Sequence, residues 1–170
     1  MRWPGRARPP ENPERRPLVK IRFDLAVDDE GWPPVRGERV WARDLGRNLY
    51  RLDNTPWFVR GVSCYDVVEA RAGSPEEVPL VRHVVEHGGH LTLRVVPLGA
   101  GDRRSRLLAT RDALRPLGVS AEVDQDHGIL AVDVPGNVDL ASLKRRLDQG
   151  TADGLWEYEE GNVSDRWLDL

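Results

Sequence analysis

Residues 41–66 read WARDLGRNLYRLDNTPWFVRGVSCYD, and this run decides the fold class. Val40 and Ala42 on one side, and Leu49 and Arg51 on the other, alternate around Leu45-Gly46-Arg47-Asn48. That pattern predicts a tight β-hairpin in which Gly46 or Asn48 takes φ > 0. Asp53-Asn54-Thr55-Pro56 then breaks the second strand, because Pro56 lacks a backbone donor and holds Thr55 extended. Trp57 to Arg60 is expected to resume as a strand before Gly61 permits another change of direction.

Working outward, Leu18 to Leu25 alternates apolar and polar residues and reads as the first strand. Glu38 to Arg43, Asn48 to Asp53, Asp66 to Arg71 and Pro79 to Glu86 follow at close spacing. Val81, Val84 and Val85 also satisfy helical spacing, but their β-branching favours a strand across 78–87. Short strands at such intervals predict a small curved sheet or SH3-like barrel over residues 18–88.

Residues 89–160 have another rhythm. His90 to Leu98 reads as a strand, Arg103 to Leu117 as an amphipathic helix ended by Gly118, and Val119 to Val123 as a strand. A turn at Asp124 to Gly128 leads into strand Ile129 to Val134. Asp139 then caps a helix carrying Leu140, Leu143 and Leu147 and closed by Gly150, and Leu155 to Glu159 is the last strand. The order β-α-β-β-α-β predicts a ferredoxin-like plait, so the fold class is α+β with a barrel-like half packed on a plait. Helices on one side leave the other sheet face requiring a cover: the barrel half, a partner, or a second copy in a homodimer. Residues 1–17 are Arg- and Pro-rich and read as a disordered tail, and residues 161–170 as a C-terminal tail.

Several runs resemble a known family. They are Trp41-Ala42-Arg43, Leu45-Gly46, Leu49 to Asn54, Pro56, Phe58, Gly61-Val62-Ser63 and Asp66-Val67-Val68, with Gly89 to Val95 and a fainter echo at Trp156 to Glu159. The chain resembles, over roughly Val19 to Gly161, the uncharacterised bacterial family termed domain of unknown function 4265. The resemblance implies a fold more than an activity. That family tends to carry Gly where this chain has Tyr65, which implies an altered loop at that point.

With 28 acidic and 25 basic residues among 170, the chain has no large positive field of the kind that favours nucleic acid. A single cysteine, Cys64, rules out an internal disulfide, and reducing cytoplasm is the expected location. No apolar run has membrane-spanning length, and the first residues carry charge without a hydrophobic signal core, so no membrane association is expected.

Cys64, Asp66 and His90 are the one set that mimics a nucleophile, an orienting carboxylate and a base, as a small hydrolase or peptide-modifying enzyme would need. The competing account makes Cys64 a buried hydrophobe, Asp66 a turn acceptor and His90 a hairpin residue. His83, His87 and His90 have metal-like spacing only in a helix. On a strand, residues four apart lie about 13 Å from each other, so no metal and no cofactor is expected. The inner plait strands lack the stacking aromatics of RNA-binding sheets.

Aromatics concentrate in the N-terminal half. Trp41, Tyr50 and Phe58 read as core, which leaves Trp57, Arg60, Ser63, Tyr65, Asp66, His90 and Arg94 as the candidate recognition surface for a peptide or protein. Acids around Trp156 and Tyr158 suit a basic segment or a solvated strand face. The expected function is a non-catalytic accessory module that binds a peptide or protein. The enzyme, and an immunity-type or regulatory inhibitor, are the alternatives.

Overall fold

The computed structural model describes residues 16–170; the expected tail over residues 1–17 falls largely outside them. The fold is mixed α+β, with two sheets. Strands β1 (Leu18–Asp24), β2 (Gly37–Gly46), β3 (Leu49–Leu52), β4 (Val67–Arg71) and β5 (Leu80–Glu86) close into a five-stranded barrel. Residues 80–86 are therefore strand, as the β-branched valines require.

The β2–β3 hairpin is tighter than its glycine alone would make it. Gly46, Arg47 and Asn48 all have positive φ, at 83°, 56° and 64°. A two-residue turn that matches strand twist needs φ > 0 at both centres, here Arg47 and Asn48, while Leu45 is the extra residue of a bulge between Asp44 and Gly46. Asp44 fixes the bulge by accepting the Gly46 N–H at 2.7 Å.

Inside the barrel, Ile21, Phe23, Val40, Ala42, Leu52 and Val68 form the core, with Val81 and Val84 packed against it. Trp41 does not join them. Strict alternation puts it on the outer face, between inward Val40 and Ala42, where it is 44% exposed and lies under the Lys20 ammonium at 4.0 Å.

The second sheet is antiparallel, in the order β7-β8-β6-β9. Its elements are β6 (Leu91–Pro97), α1 (Arg103–Leu114) with a short 3-10 turn at Arg115–Leu117, β7 (Ser120–Asp124), β8 (Ile129–Val134), α2 (Leu140–Ala152), β9 (Trp156–Asn162) and α3 (Asp165–Leu168). Leu93, Val95, Leu130 and Val132 meet Leu107, Leu114, Leu143 and Leu147 in one core. Asp102 and Asp139 cap α1 and α2 by accepting the N–H of Ser105 at 2.7 Å and of Ser142 at 3.2 Å. Among the described residues, no helix is long and apolar enough to cross a membrane.

Two expectations for the C-terminal end are corrected. Gly150 does not close α2, which runs on to Ala152; it makes room for Trp156, whose ring would lie 2.1 Å from a Cβ there. Residues 161–170 are not a tail. β9 continues to Asn162, and α3 inserts Trp167, fully buried, into the core, with its indole N–H donating to Glu160 at 2.5 Å. A lone aromatic in a short polar stretch has no periodicity to announce it.

Alanine at an ordinary helical glycine gains about 1 kcal/mol in propensity. At Gly150 the collision with an indole held inside the core wins, because overpacking costs roughly 1–3 kcal/mol. Gly150→Ala is expected to destabilise the protein in urea unfolding.

Candidate functional site

The loop between β3 and β4, residues 53–66, covers the sheet face opposite the helices. Trp57 to Arg60 is not a strand, contrary to the sequence expectation, because side chains rather than a neighbouring strand capture its backbone. Glu38, buried on β2, accepts the N–H groups of Trp57, Phe58 and Val59 at 2.5, 2.9 and 3.2 Å. From the other side Arg94 of β6, 1% exposed, donates through Nε to the Trp57 carbonyl and through a terminal nitrogen to the Val59 carbonyl. Its other terminal nitrogen reaches Glu159 at 3.0 Å. Burial lowers the Arg94 pKa, and the Glu159 and Glu38 carboxylates oppose that shift. With all three guanidinium nitrogens engaged, Arg94 clamps the loop backbone to the sheet.

The rest of the seam is also polar. Thr92 donates its hydroxyl proton to the Val62 carbonyl at 3.1 Å and accepts from the Ser63 hydroxyl at 3.0 Å, and Asn162 donates to that Ser63 Oγ at 2.8 Å. Gly61 N–H donates to the Gly161 carbonyl at 2.8 Å. Phe58 packs edge-on against Trp32 on one side and His127 on the other, with centroids 5.6 and 5.2 Å away. The face expected to be apolar and in want of a cover thus carries Thr92 and Arg94, and the chain's own loop meets it. Gly161 allows the close approach, since a Cβ there would lie 2.9 Å from an Arg94 nitrogen.

Cys64, Asp66 and His90 lie near one another but make no relay. Asp66, fully buried, spends its carboxylate on the N–H groups of Ser63 at 2.9 Å and Gly88 at 2.7 Å and on His87 Nδ1 at 3.2 Å. His90 Nδ1 turns instead to Asp133 at 2.8 Å. The Cys64 thiol is buried, which with Asp133 and Asp53 nearby pushes its pKa up to about 12. Such a thiol is not poised as a nucleophile. His83, His87 and His90 point to three different carboxylates, those of Glu69, Asp66 and Asp133.

Tyr65, where the resemblance implied an altered loop, holds φ 67°. Gly88 packs onto its backbone so closely that a Cβ on Gly88 would lie 2.5 Å from the Tyr65 carbonyl carbon. The Tyr65 ring rests edge-on against His90 at 4.8 Å and stays partly exposed. The expected surface therefore splits. Ser63, Asp66 and Arg94 are buried; Trp57 and His90 are half-buried; Arg60 and Tyr65 face solvent.

Arg60 leads to the open site. It is 67% exposed and donates to Glu159 Oε1 at 2.9 Å, the oxygen that Arg94 also engages. Beside it lies a cleft of about 350 Å³ lined by Trp32, Glu30, Val96, Glu157 and Glu159. It continues past Trp32 and Arg60 into a second cleft of about 310 Å³ that includes Leu25, Pro33 and Phe58. The Glu30 and Glu157 carboxylates take no partner among the described residues. Sequence pointed to Arg60 and to the acids of β9. It held no sign that the β1–β2 loop would bring Trp32 and Glu30 to them.

The family model described as "Domain of unknown function (DUF4265)" matches residues 38–158, more than half of the chain. The chain belongs to the DUF4265 family. The matched span begins at Glu38 and includes Arg94, so it takes in both arms of the clamp. A solved structure, "Novel crystal structure of a hypothetical protein from Neisseria gonorrhoeae", is similar in fold: its TM-score is 0.67 at 17% identity, over 86% of this chain and 96% of that one. No curated protein matches significantly.

Two measurements check this geometry. Glu38→Gln and Arg94→Met are each expected to lose roughly 3 kcal/mol, since each strands buried polar groups. Their combination should fall short of the sum by at least about 1 kcal/mol in a denaturant double-mutant cycle, because both act on one backbone segment. Iodoacetamide at pH 8 should alkylate native Cys64 at least roughly a thousand-fold more slowly than a model thiol, in line with the lower thiolate fraction, and at the ordinary rate once the chain is unfolded.

Proposed function

We propose that this DUF4265 protein is a non-catalytic binding module that takes a cationic, extended segment of a peptide or protein partner in the groove beside Arg60. One observation carries the reading: the carboxylates of Glu30 and Glu157, without partners among the described residues, flank Trp32 and Val96 in a cleft of about 350 Å³. That size lies within the range of ligand sites, and acids around an aromatic suit a guanidinium or ammonium on an apolar stem. In the same reading the barrel is SH3-like, and the sheet order β7-β8-β6-β9 with α1 and α2 on one face is a ferredoxin-like plait. A bacterial cytoplasmic setting fits a chain with one buried thiol. The enzyme alternative has less support, because Asp66 and His90 serve different partners and Cys64 is held protonated.

The test is fluorescence anisotropy with a labelled peptide carrying alternating arginines. Saturable binding is expected, weakened at least about ten-fold by Glu30→Lys with Glu157→Lys and by Trp32→Ala, with unchanged circular dichroism. Absence of binding to the native protein, or equal binding by the double variant, would sink the proposal.

A further inference from the structure

On the far side of the barrel, four neighbouring strands line up a row of arginines. Arg39 of β2 lies directly opposite Arg22 of β1, Arg22 is in register with Leu80 of β5, and Leu80 with Arg71 of β4. At the usual inter-strand spacing the row spans roughly 14 Å. Arg82, two residues along β5 from Leu80, joins it around a cleft of about 510 Å³ whose apolar part is Leu80 and Val78. Like charges directly opposite one another destabilise a strand pair. The chain only partly offsets this. Asp24 reaches Arg22 at 3.2 Å and Glu69 reaches Arg71 at 2.6 Å, both as exposed pairs of small worth. Arg39 and Arg82 have no partner among the described residues. Glu77, on the rim, is occupied with the Gly73 N–H at 3.1 Å.

We infer that this row is a docking surface for an acidic protein segment in which two carboxylates flank an apolar residue, in the spacing acid-x-apolar-x-acid. An extended chain places side chains i, i+2 and i+4 on one side over about 13 Å, close to the length of the row. The first acid meets the Arg39–Arg22 pair, the apolar residue meets Leu80, and the last acid meets Arg71. Guanidinium forks bind carboxylates in pairs of parallel hydrogen bonds, so the match is directional as well as electrostatic. Nucleic acid fits less well. The cleft has no aromatic among its lining residues, and Trp41, outward on β2, has Lys20 over its ring. A compact polyphosphate would leave Leu80 and Val78 against charge.

The test uses the full chain and a fluorescein-labelled peptide containing Glu-Ser-Leu-Ser-Glu, followed by anisotropy. Saturable binding that weakens with added salt is expected, falling at least about ten-fold when Arg39→Gln and Arg82→Gln are combined, and similarly when the peptide leucine is changed to serine. Among the described residues neither arginine has a polar contact whose loss would unfold the barrel, and a thermal melt verifies this. Glu157→Lys should leave binding of this peptide unchanged, which separates the surface from the groove beside Arg60. The inference is overturned by no saturable binding, by equal binding of the serine peptide or of the double variant, or by tripolyphosphate or oligouridine binding more tightly than the peptide.

Discussion

The two halves of this protein are joined by three residues of backbone. Between Trp57 and Val59 the N–H groups go to a buried carboxylate and two of the carbonyls to a buried guanidinium, one from each sheet. A stretch of chain with no strand neighbour would ordinarily stay at the surface, where water satisfies it. Glu38 and Arg94 take the place of that water. They are also what makes their own burial tolerable, since each charge is surrounded by the dipoles of the segment it holds and Arg94 has Glu159 besides.

Around this clamp the barrel and the second sheet need few contacts of their own. The apolar cores stay separate, one inside the barrel and one between sheet and helices. The seam between them is a layer of hydrogen bonds from Ser63, Thr92, Asn162 and the Gly61–Gly161 pair. Hydrogen bonds are directional where apolar contacts are not, so such a seam fixes orientation more strictly than a greasy face would. Gly88 and Gly161 lie where backbone passes close to its neighbours.

Local chemistry made much of the fold legible. Alternation in β1 and β2, the Gly46–Asn48 turn, the Asp102 and Asp139 caps and the leucine spacing of α2 all report on neighbours within a few residues. What failed to show was settled by distant residues. Trp57-Phe58-Val59 has strand composition, yet its hydrogen bonds come from positions 38 and 94. Trp41 looks like core until the register of Val40 and Ala42 turns it outward. Trp167 looks like part of a tail because one buried indole leaves no pattern. The candidate site suffered in the same way. Ser63, Asp66 and Arg94 are distinctive because polar residues inside a seam must each find a partner, and that is a structural demand. Arg60 is the expected residue that opens onto the groove, while Trp32 and Glu30 reach it from a loop whose path no local pattern specifies.

Glu159 gives one oxygen to two arginines, Arg60 in solvent and Arg94 in the interior. A ligand cation that competes for that oxygen redistributes charge that the interior guanidinium depends on. Under the proposed reading, occupancy of the groove and rigidity of the joint would be thermodynamically linked: whatever the ligand did to the joint, the joint would do in equal measure to the ligand's affinity. One carboxylate is thus the contact shared by the outer groove and the joint between the sheets.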